Sequence, residues 1–364
     1  MNATTNTFND KAASRTGEDA GAVGIESLIP DVSLYFFASM KHYDAQSYYK
    51  FVLEACDYAD REGFAGAWFP ERHFVDFGGF SPNPVVLAAA VAARTHRLRL
   101  RAGSIAAPLH HPVRIAEEWG MVDMLSRGRV GLSFASGWHH SDFILATTPH
   151  SHRKEVTTDY LNQVRALWAG HPLEYRDPDG AAHSVKLAPK PISDVLPLWL
   201  TTAGSSETYA LAGRLGVGVM CALFNQTLRQ LERKIELYRS AWRDAGHPGR
   251  GHVVTMVHTC ISEERNLYDL LRPAMRDYLL SFSSQDAAPS DDEVLDAAVE
   301  SYFDGPSLLG SAERAKQLLP KLKSADIDEI GALIDFGLPS EFVLQNLQNI
   351  SRVRSELTQA RGEA

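Results

Sequence analysis

The stretch Leu98–Phe134, LRLRAGSIAAPLHHPVRIAEEWGMVDMLSRGRVGLSF, contains the pattern that decides the fold. A short apolar-rich run, Leu98–Ile105, is followed by a longer segment in which Pro112 fits the first turn of a helix that extends to about Leu125. A second apolar run, Val130–Phe134, comes next. This order predicts two parallel strands joined by a helix.

The same alternation extends over most of the chain. Further strands are predicted at 32–37, 64–69, 196–200, 217–223, 253–261 and 329–334, and further helices at 47–61, from about 84, and at 154–168, 206–214, 227–245, 264–280 and 312–323. Eight such units in 364 residues predict a (β/α)8 barrel, in which functional sites lie where strand ends meet the following loops. A doubly wound sheet with an accessory domain is the alternative.

Two segments interrupt the alternation. An Asp-Pro-Asp-Gly turn at 177–180 predicts a surface hairpin inserted after strand four, and an acidic segment at 284–309 forms a second insertion before strand eight. Residues 1–27 lack the features of a secretory signal and are predicted to be a flexible tail, which leaves one domain over 28–364.

Composition excludes several classes of function. The chain is 45% hydrophobic and 22% charged, and its net charge of −9 disfavours nucleic acid or an anionic membrane surface as a partner. No apolar run approaches the roughly 20 residues that span a bilayer. The cysteines, Cys56, Cys221 and Cys260, are far apart, so we expect no disulfide framework and a location in the reducing cytoplasm.

Unusual polar clusters follow four of the predicted strands, and a barrel would bring them to one mouth. They are PERHFVDFGG (70–79), AGSIAAPLHHPVR (102–114), SFASGWHHSDF (133–143) and TTAGSSET (201–208). In the first, either His73 faces a pocket and exchanges protons, or Glu71 and Arg72 form a surface ion pair while His73 is a core residue. His258, near the end of strand seven, fits a core position and a mouth position equally.

The cluster at 201–208 joins a strand to a helix. Amides near Gly204, Ser205 and Ser206, with the hydroxyls of Ser205 and Thr208, form a pattern that binds phosphate at a helix N-terminus. Ordinary N-capping by a serine explains the same residues. The adjacent pairs His110–His111 and His139–His140 lack metal-ligand spacing, so no metal site is predicted.

Taken in order, these segments resemble the bacterial luciferase-like family of flavin-dependent monooxygenases. The resemblance covers almost everything after residue 30 and rests on AWFPERHFVDFGGFSPNP (67–84), the segment 102–143, PLWLTTAGSSETYALAGRLG (197–216) and EIGALIDFG (329–337). It is closest to the subfamily associated with polyketide and nonribosomal peptide biosynthesis, the mupirocin-pathway type. The resemblance implies a TIM barrel that uses reduced FMN and O2.

The resemblance places Glu71, Arg72 and His73 beside the oxygen chemistry. Luciferases have Glu-His-His-Phe here, with the first His as the base, and this chain has Arg72 at that position. Because a guanidinium cannot be a base near neutral pH, the proton-transfer assignment moves to His73, with His258 and Asp335 as candidate partners. Light emission from an aldehyde is disfavoured.

The cofactor residues implied by the resemblance lie after three later strands. The family often has a non-prolyl cis peptide against the flavin ring, which corresponds here to Gly103–Ser104. Ser133 and Ser136 lie in a flavin-contacting segment, where Ser136 replaces a phosphate-binding arginine. The phosphate segment of the family corresponds to the residues Ala203, Gly204, Ser205, Ser206 and Thr208.

The implied activity is a two-component monooxygenase that receives FMNH2 from a separate reductase and acts through a flavin C4a-(hydro)peroxide. The expected substrate is a small-molecule or carrier-protein-tethered acyl or aminoacyl intermediate in natural-product biosynthesis, hydroxylated or, alternatively, modified by Baeyer-Villiger insertion. A homodimer is expected. An F420-dependent reductase and a non-catalytic flavin-binding protein are the rivals. The apolar side chains expected to exclude water are Phe74, Phe80, Trp138, Met220 and Leu223, with 284–309 as a lid.

Overall fold

The computed structural model describes residues 27–224, 226–283 and 291–359. Its strands are β1 (Asp31–Tyr35), β2 (Gly66–Phe69), β3 (Arg99–Ala106), β4 (Val130–Ala135), β5 (Leu173–Arg176), β6 (Ala182–Val185), β7 (Leu198–Thr201), β8 (Gly218–Ala222), β9 (Val253–Ile261), β10 (Leu308–Gly310) and β11 (Glu329–Leu333). Its helices are α1 (Ala45–Arg61), α2 (Pro84–Ala92), α3 (Pro112–Ser126), α4 (Arg153–Trp168), α5 (Ser206–Leu215), α6 (Leu228–Asp244), α7 (Leu267–Ser283), α8 (Asp292–Asp304), α9 (Ala312–Ser324) and α10 (Ser340–Gln359). The predicted tail lies outside the described residues except for Ser27.

Eight of the nine strands in the main sheet form a closed barrel, in the order β1-β2-β3-β4-β7-β8-β9-β11, in which β11 pairs with β1. Every pairing in this barrel is parallel. The short β10 pairs with β9 outside the barrel. The predicted (β/α)8 barrel is therefore confirmed, and the doubly wound alternative is wrong.

The predicted insertions have defined structures. The β5–β6 pair is antiparallel, and the Asp177 carboxylate accepts the amides of Asp179 and Ala181 at 3.0 and 2.9 Å, which confirms the hairpin. In the acidic segment, 284–290 lie outside the described residues, and the following residues form α8 and β10, neither of which was predicted. Within the described ranges, no helix combines the length and the apolarity needed to cross a membrane.

Strand β1 ends two residues earlier than predicted. The backbone N–H of Phe37 donates to the Asp335 carboxylate at 2.9 Å instead of continuing the ladder, and the amide of Ala38 donates to the same carboxylate at 3.0 Å. Asp335 follows β11, so the carboxylate joins the ends of two neighbouring strands. This contact fixes the point at which the chain leaves the barrel wall.

A buried ion pair occupies the interior of the barrel near the N-terminal ends of the strands. Arg101 Nη1 donates to Glu329 Oε2 at 2.5 Å, and Trp68 Nε1 donates to Glu329 Oε1 at 2.9 Å. Burial raises the pKa of the Glu329 carboxyl, but the charge of Arg101 and further hydrogen bonds outweigh it and hold the pKa below its ordinary value. A pair of this kind is costly to break, because one partner would remain as an unpaired buried charge.

Candidate active site

A cavity of about 330 Å³ opens at the C-terminal ends of the barrel strands. The four polar clusters predicted to meet at one mouth all contribute to it. Its lining includes Tyr35, Glu71, Arg72, Gly103, Ser104, Ser136, Trp138, Asp142, Thr201, Thr202, Ala203, Met220 and Met256. The position agrees with the general rule that barrel active sites lie on this face.

Glu71 is the centre of a buried hydrogen-bond cluster on the cavity wall. Its Oε1 accepts from His73 Nε2 at 2.8 Å and from His110 Nε2 at 2.7 Å, and its Oε2 accepts the Ala106 amide at 2.9 Å. Burial alone raises the pKa of Glu71, but the bonds from His110 and His73, the charge of His110 and the Ala106 amide together lower it. Glu71 is therefore ionised at neutral pH.

Arg72 is only 2% exposed although it is cationic. Its Nη1 lies 3.6 Å from Asp142 Oδ2, and its guanidinium carbon lies 4.8 Å from the centroid of the Trp138 ring. The alternative of a surface Glu71–Arg72 ion pair is therefore wrong: both side chains are buried, Arg72 pairs with Asp142 and Glu71 with two histidines. The structure places a fixed positive charge on the cavity wall.

His73 and His110 lie behind Glu71. Neither is part of the cavity lining, so His73 does not face the pocket as one of the two interpretations expected: its buried ring contacts Glu71, which lines the cavity. His110 is 27% exposed; burial lowers its pKa, but the hydrogen bond and charge of Glu71 outweigh this and raise it above the ordinary value. The Glu71–His110 pair therefore holds a proton near the cavity.

Two predicted catalytic residues lie away from the cavity wall. Asp335 is buried beneath it, where it accepts the amides described above and the Tyr48 hydroxyl at 2.7 Å. Burial raises the pKa of Asp335 to about 6, against the opposing effect of these bonds. His258 lies in a separate apolar chamber, where burial lowers its pKa to about 3. The Tyr48 hydroxyl contacts Asp335, and the rings of Tyr278, Tyr302 and Phe336 lie around His258.

The Gly103–Ser104 peptide bond is cis, as predicted. The Tyr35 hydroxyl donates to the carbonyl of Gly103, and the Ser104 hydroxyl bonds Thr201 Oγ1, which lies 2.7 Å from Ser133 Oγ. Ser104 and Thr201 line the cavity, and Ser133 supports Thr201 from behind. A Cβ atom on Gly103 would lie 2.9 Å from Trp68 Cβ, so only glycine leaves this wall in place.

The predicted phosphate segment lies beside the cavity, which Ala203 reaches. The backbone amides of Gly204 and Ser205 both donate to Thr202 Oγ1 at 3.1 Å. These two predicted phosphate donors are therefore already hydrogen-bonded to a side chain. Ser205 is the N-cap of α5 but makes no side-chain capping bond, which contradicts the capping alternative for this residue. The hydroxyl-bearing residues Ser205, Ser206 and Thr208 lie at the N-terminus of α5, and a helix N-terminus can bind an anion.

Lys234 adds a positive charge to this segment. A Cβ atom on Gly204 would lie 3.2 Å from Lys234 Nζ, and Gly204 has a φ of +121°, a backbone conformation that favours glycine. The ammonium also donates to Gln226 Oε1 at 2.9 Å. A glycine at this position lets the α6 lysine approach the N-terminus of α5.

The apolar side chains expected to exclude water are only partly on the cavity. Trp138 and Met220 line it. Phe80 is buried behind it against Tyr48, with ring centroids 4.0 Å apart, and Phe74 is 63% exposed at a φ of +59°. Leu223 lines a neighbouring pocket. In the described chain, no cluster of three or more His, Cys, Asp or Glu side chains could hold a metal ion.

Comparison with known families gives the identification. Residues 32–326 match the model of a family described as luciferase-like monooxygenase. The chain belongs to the luciferase-like monooxygenase family. Its curated relatives include the oxygenase component of a flavin-dependent trigonelline monooxygenase from Acinetobacter baylyi, 24% identical over 59% of this chain and 60% of the relative. An alkanal monooxygenase alpha chain from Photorhabdus laumondii is 26% identical over 51% of each chain.

The matches thus span less than two thirds of these relatives' own length. Solved structures share the fold over nearly the whole chain. The monooxygenase RslO1 from Streptomyces bottropensis is similar with a TM-score of 0.77, at 21% identity, over 88% of this chain and 98% of that one. The oxygenating constituent of 3,6-diketocamphane monooxygenase from Pseudomonas putida, a type II Baeyer-Villiger enzyme in complex with FMN, gives 0.70 at 18% identity over 89% and 97%. An F420-dependent secondary alcohol dehydrogenase gives 0.69 at 16% identity over 90% and 99%.

The luciferase-like family implies a flavin, and the residues present fit one. The cavity combines apolar walls with few polar groups, as small-molecule sites do. Gly103 packs closely against Trp68 and Met220 on the cavity wall, where a side chain would not fit, and the N-terminus of α5 with Lys234 offers donors to a phosphate. The aromatic and apolar walls suit a planar ring, and the α5 end suits a dianion.

Sequence patterns missed three contributors to this luciferase-like site. His110 was considered only as a metal ligand, and its contact with Glu71 joins residues 39 positions apart. Asp142 lies in a cluster already singled out, but nothing local indicates that it pairs with Arg72. Lys234 lies on a surface-facing amphipathic helix, where a lysine is ordinary.

Proposed function

We propose that this chain is an FMNH2-dependent monooxygenase that uses O2 to oxygenate an organic substrate. The observation that supports this most directly is the buried Arg72 cation on an apolar cavity wall next to the ionised Glu71. Membership of the luciferase-like family supplies the reaction type. Reduced FMN bound in the cavity would supply the electrons with which O2 reacts.

Arg72 holds negative charge that develops in the cavity. Its guanidinium is positioned by Asp142 and Trp138 and stays protonated at every working pH. A charge held rigidly in a site with little water stabilises an anion more strongly than the same charge in bulk solvent. Arg72 therefore takes the role of an electrostatic stabiliser and not that of a base.

Glu71 moves protons between the cavity and the two histidines. The ionised carboxylate accepts a proton from the cavity side, and its Oε1 is within hydrogen-bonding distance of His73 Nε2 and His110 Nε2. Because its pKa is raised, His110 holds a proton that it gives to Glu71 when Glu71 passes one to the cavity, and it recovers that proton when Glu71 accepts one from the cavity. In this scheme His73 acts through Glu71.

The remaining walls keep water out. Trp138, Met220 and Met256 line the cavity together with Phe224 and Phe282, and apart from the indole N–H of Trp138 these side chains offer no strong hydrogen-bonding group. Excluding water protects a reactive oxygenating centre from side reactions. The charged groups of the lining lie in two loops: Glu71 and Arg72 follow β2, and Asp142, which pairs with Arg72, follows β4.

The partners and substrate are the finer part of the proposal. A separate flavin reductase would supply FMNH2, which is supported by the relative named as an oxygenase component. We propose an acyl or aminoacyl substrate of natural-product biosynthesis, free or carrier-bound and hydroxylated, as in the mupirocin-type subfamily, with Baeyer-Villiger insertion as the second outcome. A homodimer in the cytoplasm completes the proposal; the three cysteines are buried and unpaired, which suits a reducing compartment.

Competitive binding tests the cofactor assignment. Calorimetric titration with FMN, riboflavin and F420 should show that FMN binds at least tenfold more tightly than riboflavin, because only FMN places a phosphate at α5. Tighter binding of F420 would assign the chain to the deazaflavin-dependent reductases. Binding of FMN without any effect on the reaction of FMNH2 with O2 would leave a non-catalytic flavin-binding protein.

A further inference from the structure

A second cavity, here called the side chamber, lies between the barrel and the two helices α7 and α8. Its volume is about 250 Å³. Half of its lining residues are phenylalanines or tyrosines: Phe37, Phe77, Phe224, Tyr278, Phe282 and Tyr302. An apolar cavity of roughly 150 Å³ takes a benzene ring, so the side chamber has space for a larger ring system.

One imidazole faces this aromatic chamber. His258 on β9 is 4% exposed, and its ring lies edge-on to Tyr302 at 4.9 Å and to Tyr278 at 5.4 Å. Its Nε2 is buried without a hydrogen-bond partner in the part of the chain that the structure describes. Burial lowers the pKa of His258 to about 3, so the ring is neutral and carries one N–H donor and one nitrogen acceptor.

The side chamber adjoins the cavity of the candidate active site. Phe37, Phe224, Met256 and Phe282 line both. A molecule that is bound in the chamber and extends past these four side chains reaches the wall that carries Arg72. The unpaired Nε2 of His258 therefore lies in an apolar cavity that shares four wall residues with the candidate active site.

We propose that the side chamber binds the substrate through an aromatic or similarly flat ring system whose hydroxyl or carbonyl oxygen hydrogen-bonds to His258. Flat rings pack well against aromatic walls, and a ligand oxygen supplies the partner that the imidazole lacks. The inference rests on the proposed function, since it assigns the chamber to the substrate of that reaction. His258 then determines which ring systems bind and does not transfer protons to oxygen.

Two probes of similar shape test the inference. Calorimetric titration of the FMN-saturated protein with 2-naphthol and with 2-methylnaphthalene compares a ring that has a hydroxyl with one that lacks it. We expect 2-naphthol to bind about tenfold more tightly to the wild type. His258→Phe should abolish this preference, and His258→Gln, which keeps a donor and an acceptor, should retain part of it.

A matched pair on α8 locates the binding. Ala298 lines the chamber and Ala297 is exposed on the same helix. Ala298→Phe should weaken binding of both probes at least tenfold, whereas Ala297→Phe should leave both unchanged. This pair tests the location even if His258→Phe does not fold.

Several results would overturn the inference: no binding of either probe, equal affinities in the wild type, a preference that survives His258→Phe, or indifference to Ala298→Phe. These failures are distinguishable from failure of the proposed function. If the protein binds FMN tightly and changes the reaction of FMNH2 with O2, but does not prefer 2-naphthol, only the chamber assignment is refuted. If the probes bind as expected but the protein does not change the reaction of FMNH2 with O2, only the monooxygenase function is refuted.

Discussion

Replacing Glu71 with Gln is expected to lower the free energy of unfolding most where His110 is protonated. The Glu71 carboxylate is fully buried and accepts three hydrogen bonds, from His73 at 2.8 Å, from His110 at 2.7 Å and from the Ala106 amide at 2.9 Å. A hydrogen bond to a charged group contributes roughly 1.5–3 kcal/mol. Gln keeps one acceptor oxygen, but its NH2 group would face a ring N–H, which is also a donor. We therefore expect the free energy of unfolding to fall by about 3 kcal/mol at mildly acidic pH.

The pH dependence follows from two opposite pKa shifts. Burial lowers the pKa of His110, but Glu71 raises it above 6.5, so this contribution is complete below pH 6.5 and is lost as pH rises through the folded-state pKa. Burial raises the pKa of Glu71, but His110, His73 and Ala106 bring it below 4.5, so that contribution is present above pH 4.5 and lost as pH falls through the folded-state pKa. The pair stabilises most between these values.

Urea denaturation from about pH 5.5 to about pH 9 measures this effect. Between the ordinary pKa of His110 and its raised folded-state pKa, the free energy of unfolding of the wild type falls by up to about 1.4 kcal/mol per pH unit. The Glu71→Gln variant should lack this fall. The difference in free energy of unfolding between the wild type and Glu71→Gln should therefore become smaller as pH rises. Glu117→Gln, which removes an exposed carboxylate paired with Arg114 at 3.0 Å, should run parallel to the wild type within about 0.5 kcal/mol. A gap for Glu71→Gln that stays constant with pH would refute the reasoning.

Three further predictions concern separate parts of the molecule. Arg72→Met should reduce the rate of substrate oxygenation by about 10²–10³-fold with little change in FMN affinity, measured by single-turnover kinetics and calorimetry; an unchanged rate would remove Arg72 from the chemistry. Lys234→Met should weaken FMN about tenfold but leave riboflavin unchanged, and equal weakening of both would place the phosphate elsewhere. Glu329→Ala should lower the free energy of unfolding by about 3–5 kcal/mol, read from urea denaturation, because Arg101 would stay buried without its partner; a loss below about 1 kcal/mol would contradict this.

The barrel was predictable because its signals are local. Each strand and helix shows its own periodicity, and caps such as Thr227 before α6, which forms a capping box with Gln230, mark the ends. Helix α8 was missed because it lies in an acidic segment and buries only Leu295 and Val299 along its length. The end of β1 was misplaced because it depends on a carboxylate from the other end of the barrel sequence.

The candidate site was predictable only at the level of loops. Sequence position indicated that the segments after β2, β3, β4 and β7 meet, but not which side chains pair. Glu71 binds histidines from two loops, and Arg72 pairs with an aspartate from a third. His258 shows the same limit, since its place in β9 fitted both a core and a mouth position, and only the packing of α7 and α8 puts it in a separate chamber.

Rapid mixing of oxygen with the anaerobically reduced FMN–protein complex tests the central claim most directly. If the cavity shields the flavin and Arg72 stabilises charge there, oxidised FMN should appear only after a lag that free FMNH2 does not show, and Arg72→Met should shorten the lag. Absorbance of oxidised FMN provides the readout for both proteins and for free flavin in the same buffer. Reoxidation as fast as that of free FMNH2 in the wild type would contradict the account.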